Sequence, residues 1–231
     1  MQDSTADTRF WDRVAQKYAR AAIRDMPGYE RTLARTAQLL RTTDAVLEIG
    51  CGTATTALRL APMVRHILAT DVSSEMIAIA RQKATAAGCG NVELRAGDIA
   101  SLQEPDGSFD TVLAFNILHL VRDRGAALER VRRLLKPGGL LITKTPCLSE
   151  MNLLIRLAVP LAQRFGKAPW VSFLSAPRLE AEIAAAGFTI IEQARHGSKR
   201  KDPRIFIVAR SPALAQTPAG DTVNDGDAAR T

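Results

Sequence analysis

Apolar positions along this chain recur with two alternating periods. Near the start, Trp11, Val14 and Tyr18 are spaced i, i+3 and i+7, which predicts a helix presenting them on one face. Pro27-Gly28 predicts a break. Leu33, Ala37 and Leu40 then predict the buried stripe of a second helix over 29–41. A regular alternation follows. Short apolar runs at 45–49, 66–70, 91–96, 109–115 and 139–145 read as strands, and helical patterns at 53–60, 74–87 and 124–135 lie between them. Ser74 is placed to cap the helix it opens, with Glu75 suiting the positive end of the helix dipole, and Gly88 and Gly90 stop it. The helix at 124–135 is expected to bury Leu128, Val131 and Leu135.

This βαβ rhythm predicts an α/β fold, a parallel sheet with helices on both faces. The rhythm changes near the end. Ser175 caps a helix running to 186, with Leu179 and Ile183 inward and Gly187 closing it. Strands at 188–194 and 205–209 are joined by a polar loop too short for a helix, so they are expected to pair antiparallel.

Composition narrows the class. A chain of 231 residues with 46% hydrophobic and 24% charged residues suits one globular domain with an elaboration. The divisions expected are a helical cap over 1–42, a main domain over 43–210 with an apolar lid inserted at about 148–175, and a disordered tail over 211–231, rich in Ala, Thr, Asp, Gly and Pro. The net charge of +7 is spread widely. Its densest short cluster, Lys199, Arg200, Lys201 and Arg204, reads as a solvated loop. Cys51, Cys89 and Cys147 give neither a disulfide framework nor metal-ligand spacing, and His66, His119 and His196 are isolated, so no metal is expected. The first residues lack the apolar run of a signal peptide. The most apolar long segment, 151–165, is broken by Arg156 and Pro160 and falls short of the roughly 20 residues of a membrane span. A reducing cytoplasm is the expected compartment.

The candidate chemistry stands at strand ends. In Val46-Leu47-Glu48-Ile49-Gly50-Cys51-Gly52-Thr53 a buried strand runs into a glycine turn and then a helix. Gly50 and Gly52 let a ligand approach the backbone, at the edge of the sheet where such folds bind ligands. A dinucleotide fingerprint needs glycine at position 55, where this chain has Thr55, and Glu48 would repel a pyrophosphate. Glu48 suits a ligand bearing an amino group and a sulfonium cation. Asp71, about 20 residues on, can accept both hydroxyls of a ribose. Asp98 in Gly97-Asp98-Ile99 can accept from an adenine amino group beside the apolar wall of Ile99, and Met76 can pack on an adenine face. Asn116 and His119 end the fourth strand. Asn116 can orient a ligand, and His119 is a candidate general base because its ordinary pKa lies near neutrality.

The runs VLEIGCGTATTAL, ATD ending at Asp71, AGDI around Asp98, FDTVLAFNILHLV and LLKPGGLLITK together resemble class I S-adenosylmethionine-dependent methyltransferases, in particular the group containing the ubiquinone and menaquinone methyltransferases. The resemblance covers about residues 10 to 210. It implies a Rossmann-like three-layer sandwich on a seven-stranded, mostly parallel sheet whose last strand is antiparallel. It also implies S-adenosyl-L-methionine as cofactor, with Glu48, Gly50 and Gly52 lining its methionine part, Asp71 its ribose, and Asp98 with Ile99 its adenine, and with Cys51, Val72 and Met76 also among the cofactor-binding residues. Asn116 lies beside the cofactor, and Tyr18 matches an N-terminal aromatic that closes over it. There are departures. The third small position of the glycine turn is Ala54, and the quinone enzymes commonly follow the tyrosine with Asp where this chain has Ala19. The N-P-P-[YF] motif of amino-methylating nucleic-acid enzymes is replaced by Asn116-Ile117-Leu118.

The expected reaction is methyl transfer to an O, S, N or C nucleophile of a small, hydrophobic acceptor, with a base needed only where the nucleophile carries a proton that must leave. The apolar stretch 148–175, with Met151, Leu153, Leu154, Ile155, Leu157, Val159, Leu161, Phe165, Trp170, Val171, Phe173 and Leu174, is expected to cover the acceptor. It also offers a peripheral membrane contact through Arg156, Arg164 and Lys167, or a dimer face, so the expected state is monomer or homodimer. No nucleic-acid partner is expected. The alternatives left open are an RNA or protein methyltransferase, which the net charge favours but which lacks an RNA module, and an inactive cofactor-binding partner protein.

Overall fold

The computed structural model describes residues 4–198 and 202–213. Lys199, Arg200 and Lys201 of the basic cluster, and the tail from 214 to 231, lie outside the described residues. The strands are β1 (Ala45–Ile49), β2 (His66–Asp71), β3 (Val92–Ala96), β4 (Phe109–Phe115), β5 (Leu135–Pro146), β6 (Thr189–Ala194) and β7 (Arg204–Arg210). The helices are α1 (Ser4–Arg20), α2 (Met26–Ala37), α3 (Thr55–Leu60), α4 (Ser74–Ala86), α5 (Arg124–Leu134), α6 (Leu153–Arg164) and α7 (Ala176–Ala185).

One seven-stranded sheet has the order β3-β2-β1-β4-β5-β7-β6. The β1, β2, β3, β4 and β5 pairings are parallel, whereas β7 runs antiparallel to both β5 and β6. This is the Rossmann-like arrangement expected of the sequence, with the closing antiparallel pair in place. Alternation along β1 divides the core between the two faces. Leu47 and Ile49 join Leu128, Val131, Leu134, Leu179 and Ile183 of α5 and α7. Val46 joins Leu33, Ala57, Leu60, Ile77 and Ala80 of α2, α3 and α4 on the other face. Full burial of side chains such as Leu47, Leu60 and Phe206 contributes roughly 1.5–3 kcal/mol each.

Three local expectations are corrected. Pro27 and Gly28 do not break the chain; they sit in the first turn of α2, where a proline's missing N–H is harmless. Asp25 caps that helix, accepting from the Gly28 amide at 3.1 Å. The cap of α4 is Ser73, not Ser74: its Oγ accepts from the Met76 amide at 3.1 Å. On α1 the fully buried residue is Ala15, packed with Met76 and Ile79 of α4. Trp11 borders this cluster, while Tyr18 stays half-exposed and turns toward the sheet's edge.

Candidate active site

Strand order reverses beside β1, which lies between β2 and β4. The carboxyl ends of β1 and β4 therefore diverge and open a crevice. Four side chains mark successive strand ends along it: Asp71 on β2, Glu48 on β1, Asn116 just after β4 and Lys144 on β5. Asn116 donates its amide to the Lys144 carbonyl at 2.8 Å, which fixes the β4 and β5 ends together.

Glu48 is 3% exposed, and its Oε2 has no hydrogen-bond partner among the described residues. Burial, reinforced by the charge of Asp71, pushes its carboxyl up to about 8, against a smaller lowering from the Ala57 backbone. The turn that follows is left-handed at Gly50 (φ 64°) and Gly52 (φ 55°). A Cβ on Gly50 would stand 2.6 Å from Ile117 Cδ1, so no side chain fits. A Cβ on Gly52 would stand 3.5 Å from Cε1 of Tyr18, whose ring thus lies over the turn. Partial burial, then Asp71 and Glu48, raise the Tyr18 phenol above its ordinary value. Ala54 and Asn116 also hold positive φ, 55° each. Such conformations in non-glycine residues cost about 1–2 kcal/mol and concentrate at functional sites. Cys51 is buried, its thiol raised well above its ordinary value by burial and then by Glu48 and Asp71.

Asp71 Oδ2 accepts from the Gly52 amide at 2.8 Å and Oδ1 from the Ser73 amide at 2.9 Å. Burial nevertheless raises its pKa. Val72 beside it is exposed. Asp98 is exposed and shapes the turn after β3, its Oδ1 accepting from the Ser101 amide at 2.8 Å, while Ile99 packs against the main core. Met76 is 2% exposed inside the α1–α4 contact.

A cleft of about 310 Å³ brings together Tyr18, Glu48, Gly50, Cys51 and Asn116. Its other walls are Ala21, Ala22 and Ile23 between α1 and α2, then Tyr29, Thr32 and Leu33 of α2, with Phe115, Lys83, Lys144 and Arg204. Among the described residues, segment 148–175 contributes none of these walls. It leans instead on α1 and the 119–122 stretch: Arg13 donates to the Gly166 carbonyl at 2.9 Å, the Trp170 amide to Asp7 at 3.3 Å, and the Ser172 amide to the His119 carbonyl at 2.8 Å. His119 is likewise off the cleft. Its Nδ1 is buried without a partner among the described residues, and burial lowers its pKa to about 4. It is a neutral, weakly basic imidazole, poorly placed and poorly tuned for the proton-accepting role the sequence suggested.

The lysines escaped the sequence reading. Lys144 ends the LLITK run, where a cation on an otherwise apolar, two-sided buried strand is itself the signal. It is 5% exposed, and its Nζ donates to Thr32 Oγ1 at 2.7 Å and the Gly28 carbonyl at 3.2 Å. Burial, then Arg204, lower it to about 8, against Asp202 and Asp25. Among the described residues no group of three or more His, Cys, Asp or Glu is placed to hold a metal ion, and no helix is long and apolar enough to cross a membrane.

A buried carboxyl group with one unsatisfied oxygen, a second carboxylate nearby and a side-chain-free turn between them suit a ligand with positive centres and a flat, close-lying body. S-adenosylmethionine, with its ammonium and sulfonium, fits that donor set. Comparison with known proteins agrees. Residues 46–139 match the methyltransferase domain family. Over 155 residues the chain is 32% identical to the ubiquinone biosynthesis O-methyltransferase of Azorhizobium caulinodans, across 64% of this chain and 60% of that protein. Over 171 residues it is 30% identical to the demethylmenaquinone methyltransferase of Listeria monocytogenes, across 65% of this chain and 72% of that protein. The crystal structure of YcgJ from Bacillus subtilis shares the fold, with a TM-score of 0.65 at 21% identity over 79% of this chain and 99% of that one. The chain belongs to the S-adenosylmethionine-dependent methyltransferases.

Proposed function

We propose that the protein transfers a methyl group to a small, hydrophobic acceptor held at the carboxyl ends of β4 and β5. The observation that carries this reading is the buried, half-unsatisfied carboxyl of Glu48 on the cleft wall. When bound, S-adenosylmethionine supplies a methyl group on a cationic sulfur. Glu48, Gly50, Cys51 and Gly52 hold its methionine part, Asp71 and Val72 the ribose, and Asp98 and Ile99 the adenine end, while Met76 stays in the α1–α4 core. Tyr18 closes over the turn, and α1 with α2 acts as a cap. Asn116, in its left-handed backbone conformation, orients the reacting partners. The chain's main task is to align nucleophile, carbon and sulfur, which can supply roughly 7–11 kcal/mol of barrier reduction.

The acceptor class draws on two supports. The apolar walls at Ala21, Ala22, Ile23, Leu33 and Phe115 suit a hydrophobic molecule, and both relatives above are named for quinones. Delivery from an anionic membrane surface, consistent with a cytoplasmic enzyme, is supported by α6 and its flank. There Leu153, Leu161 and Phe165 are 62%, 59% and 66% exposed beside the exposed cations Arg156, Arg164 and Lys167. Co-flotation with phosphatidylglycerol vesicles but not with phosphatidylcholine vesicles is the expected result.

The decisive experiment is calorimetric titration with S-adenosylmethionine, S-adenosylhomocysteine and NAD, followed by a panel of thiols, phenols, amines and quinols scored for methyl uptake. Binding of both sulfur nucleosides and methylation of an apolar acceptor are expected. Binding of NAD alone overturns the reading.

A further inference from the structure

We propose that Lys144 receives the proton of the methyl acceptor, and that the acceptor accordingly carries an acidic hydroxyl, a phenol or an enol, set against Nζ. The inference rests on the methyl-transfer reading above and adds the acceptor's chemistry to it.

Position comes first. β4 and β5 are adjacent, Phe115 pairs with Lys144, and Lys144 lines the same cleft as Glu48 and Asn116. A nucleophile beside the end of β4 is therefore next to the amine. Hydrogen-bond supply comes second. An ammonium has three N–H donors. Thr32 Oγ1 and the Gly28 carbonyl take two, and the third has no protein acceptor among the described residues. No carboxylate is bonded to Nζ. Asp25 engages Gly28, Ser198 and Arg204, and Asp202 engages Arg204.

The surroundings set the protonation. Facing the amine are Arg204 and Asp202 at β7, Asp25 before α2, Arg31 on α2 and His196 after β6. Desolvation and the two arginines outweigh the two aspartates, and the amine is held at about 8. An appreciable fraction is then neutral near pH 7, unlike an ordinary lysine at about 10.4. Thr32 Oγ1 accepts from Nζ and donates its own hydrogen to the Gly28 carbonyl at 2.8 Å, with His196 Nδ1 3.1 Å away, so the amine is held in a fixed position at the cleft wall.

The step balances. The acceptor's O–H bond breaks and its proton joins the neutral Nζ. The freed oxygen pair forms a bond to the methyl carbon, and the electrons of the carbon–sulfur bond stay on sulfur. The proton stays on Nζ and passes to water when the methylated product leaves the cleft. Other nucleophiles fit less well: a thiol ionises with little help, a carboxylate needs no base, and an amine that develops positive charge would face Lys144 and Arg204.

The test uses 4-nitrophenol as probe, with nitrobenzene as the uncharged control, on full-length protein saturated with S-adenosylhomocysteine. Wild type is expected to bind the probe as its coloured phenolate at a pH below that at which the free probe ionises. Lys144→Met is expected to weaken phenolate binding at least tenfold and abolish the colour shift, with S-adenosylhomocysteine affinity unchanged. Lys144→Gln, which keeps a donor for Gly28 and Thr32, serves if the methionine variant does not fold, with the same loss expected. Undiminished phenolate binding by either folded variant overturns the proposal. So does wild type that binds S-adenosylhomocysteine but prefers nitrobenzene. Wild type that fails to bind S-adenosylhomocysteine at all overturns the methyltransferase reading beneath it.

Discussion

The carboxylate of Asp71 accepts a 2.8 Å hydrogen bond from the amide of Gly52, tying the end of β2 to the glycine turn after β1. One side chain thus shapes the turn and, through the Ser73 amide, the start of α4 as well. Asp71→Ala is expected to weaken S-adenosylhomocysteine binding at least tenfold, about 1.4 kcal/mol. Asp71→Asn, which keeps one carbonyl acceptor, should fall between it and wild type. Calorimetry on the two variants checks this, and equal affinity in all three proteins would remove Asp71 from the site.

Glu48 makes stability depend on pH in an unusual direction. Its folded value, about 8, lies above its ordinary value of 4.5, so the fold favours the protonated form. The stability is complete below about pH 4.5 and is lost as pH rises toward 8, by a few kcal/mol. The ligand-free thermal midpoint of wild type should fall over that window, and that of Glu48→Gln should stay flatter. A cationic ligand favours the ionised carboxylate. Binding of S-adenosylmethionine at pH 7 should then release a proton, seen as a dependence of the calorimetric enthalpy on buffer ionisation, and S-adenosylhomocysteine should release less.

His119 works with the opposite sign. Its folded value, about 4, lies below the ordinary 6.5. The fold favours the neutral ring, so its contribution is present above about pH 6.5 and lost as pH falls through 4. Acid unfolding of His119→Gln should be displaced to lower pH than that of wild type. Its S-adenosylhomocysteine affinity should be unchanged and its turnover within about threefold; a loss of a hundredfold or more would restore His119 as the base.

Arg124 and Glu182 hold α5 to α7 away from the cleft. Arg124 is 7% exposed and donates to both carboxylate oxygens of Glu182, at 2.6 and 3.0 Å, while Arg178 takes a share of the same carboxylate. Because Glu182 is partly exposed and keeps Arg178, Arg124→Ala is expected to lower unfolding stability by about 1–2 kcal/mol while leaving S-adenosylhomocysteine affinity within twofold, as read by urea denaturation and calorimetry.

Much of this was legible in the sequence because strand ends punctuate it. The glycine turn at Gly50 and Gly52 and the acids Glu48, Asp71 and Asp98 each follow a run of period-2 or continuous apolar residues. The antiparallel close followed from a loop too short for a helix. What escaped reading is tertiary. Pro27-Gly28 reads as a break until Asp25 is seen capping the helix that contains it. Met76 reads as a ligand wall or as core alike, and only the docking of α1 on α4 shows where its side chain lies. Lys144 reads as the last residue of a strand motif. That residues 18–33 supply so much of the wall beside it depends on how α2 folds back over β5, which no local pattern encodes.

Placing β7 between β5 and β6 has a consequence for how the site assembles. β5 has β4 on one side from early in the chain, but its other edge stays open until residues 204–210 arrive. Lys144 faces Phe206 in that late pairing, and Arg204 and Asp202, which tune it, come with the same segment. The amine's environment is therefore set by a long-range, slow-forming contact. A chain emerging from the ribosome completes its glycine turn well before it acquires a tuned lysine, so the cofactor half of the cleft should mature first and the acceptor half last.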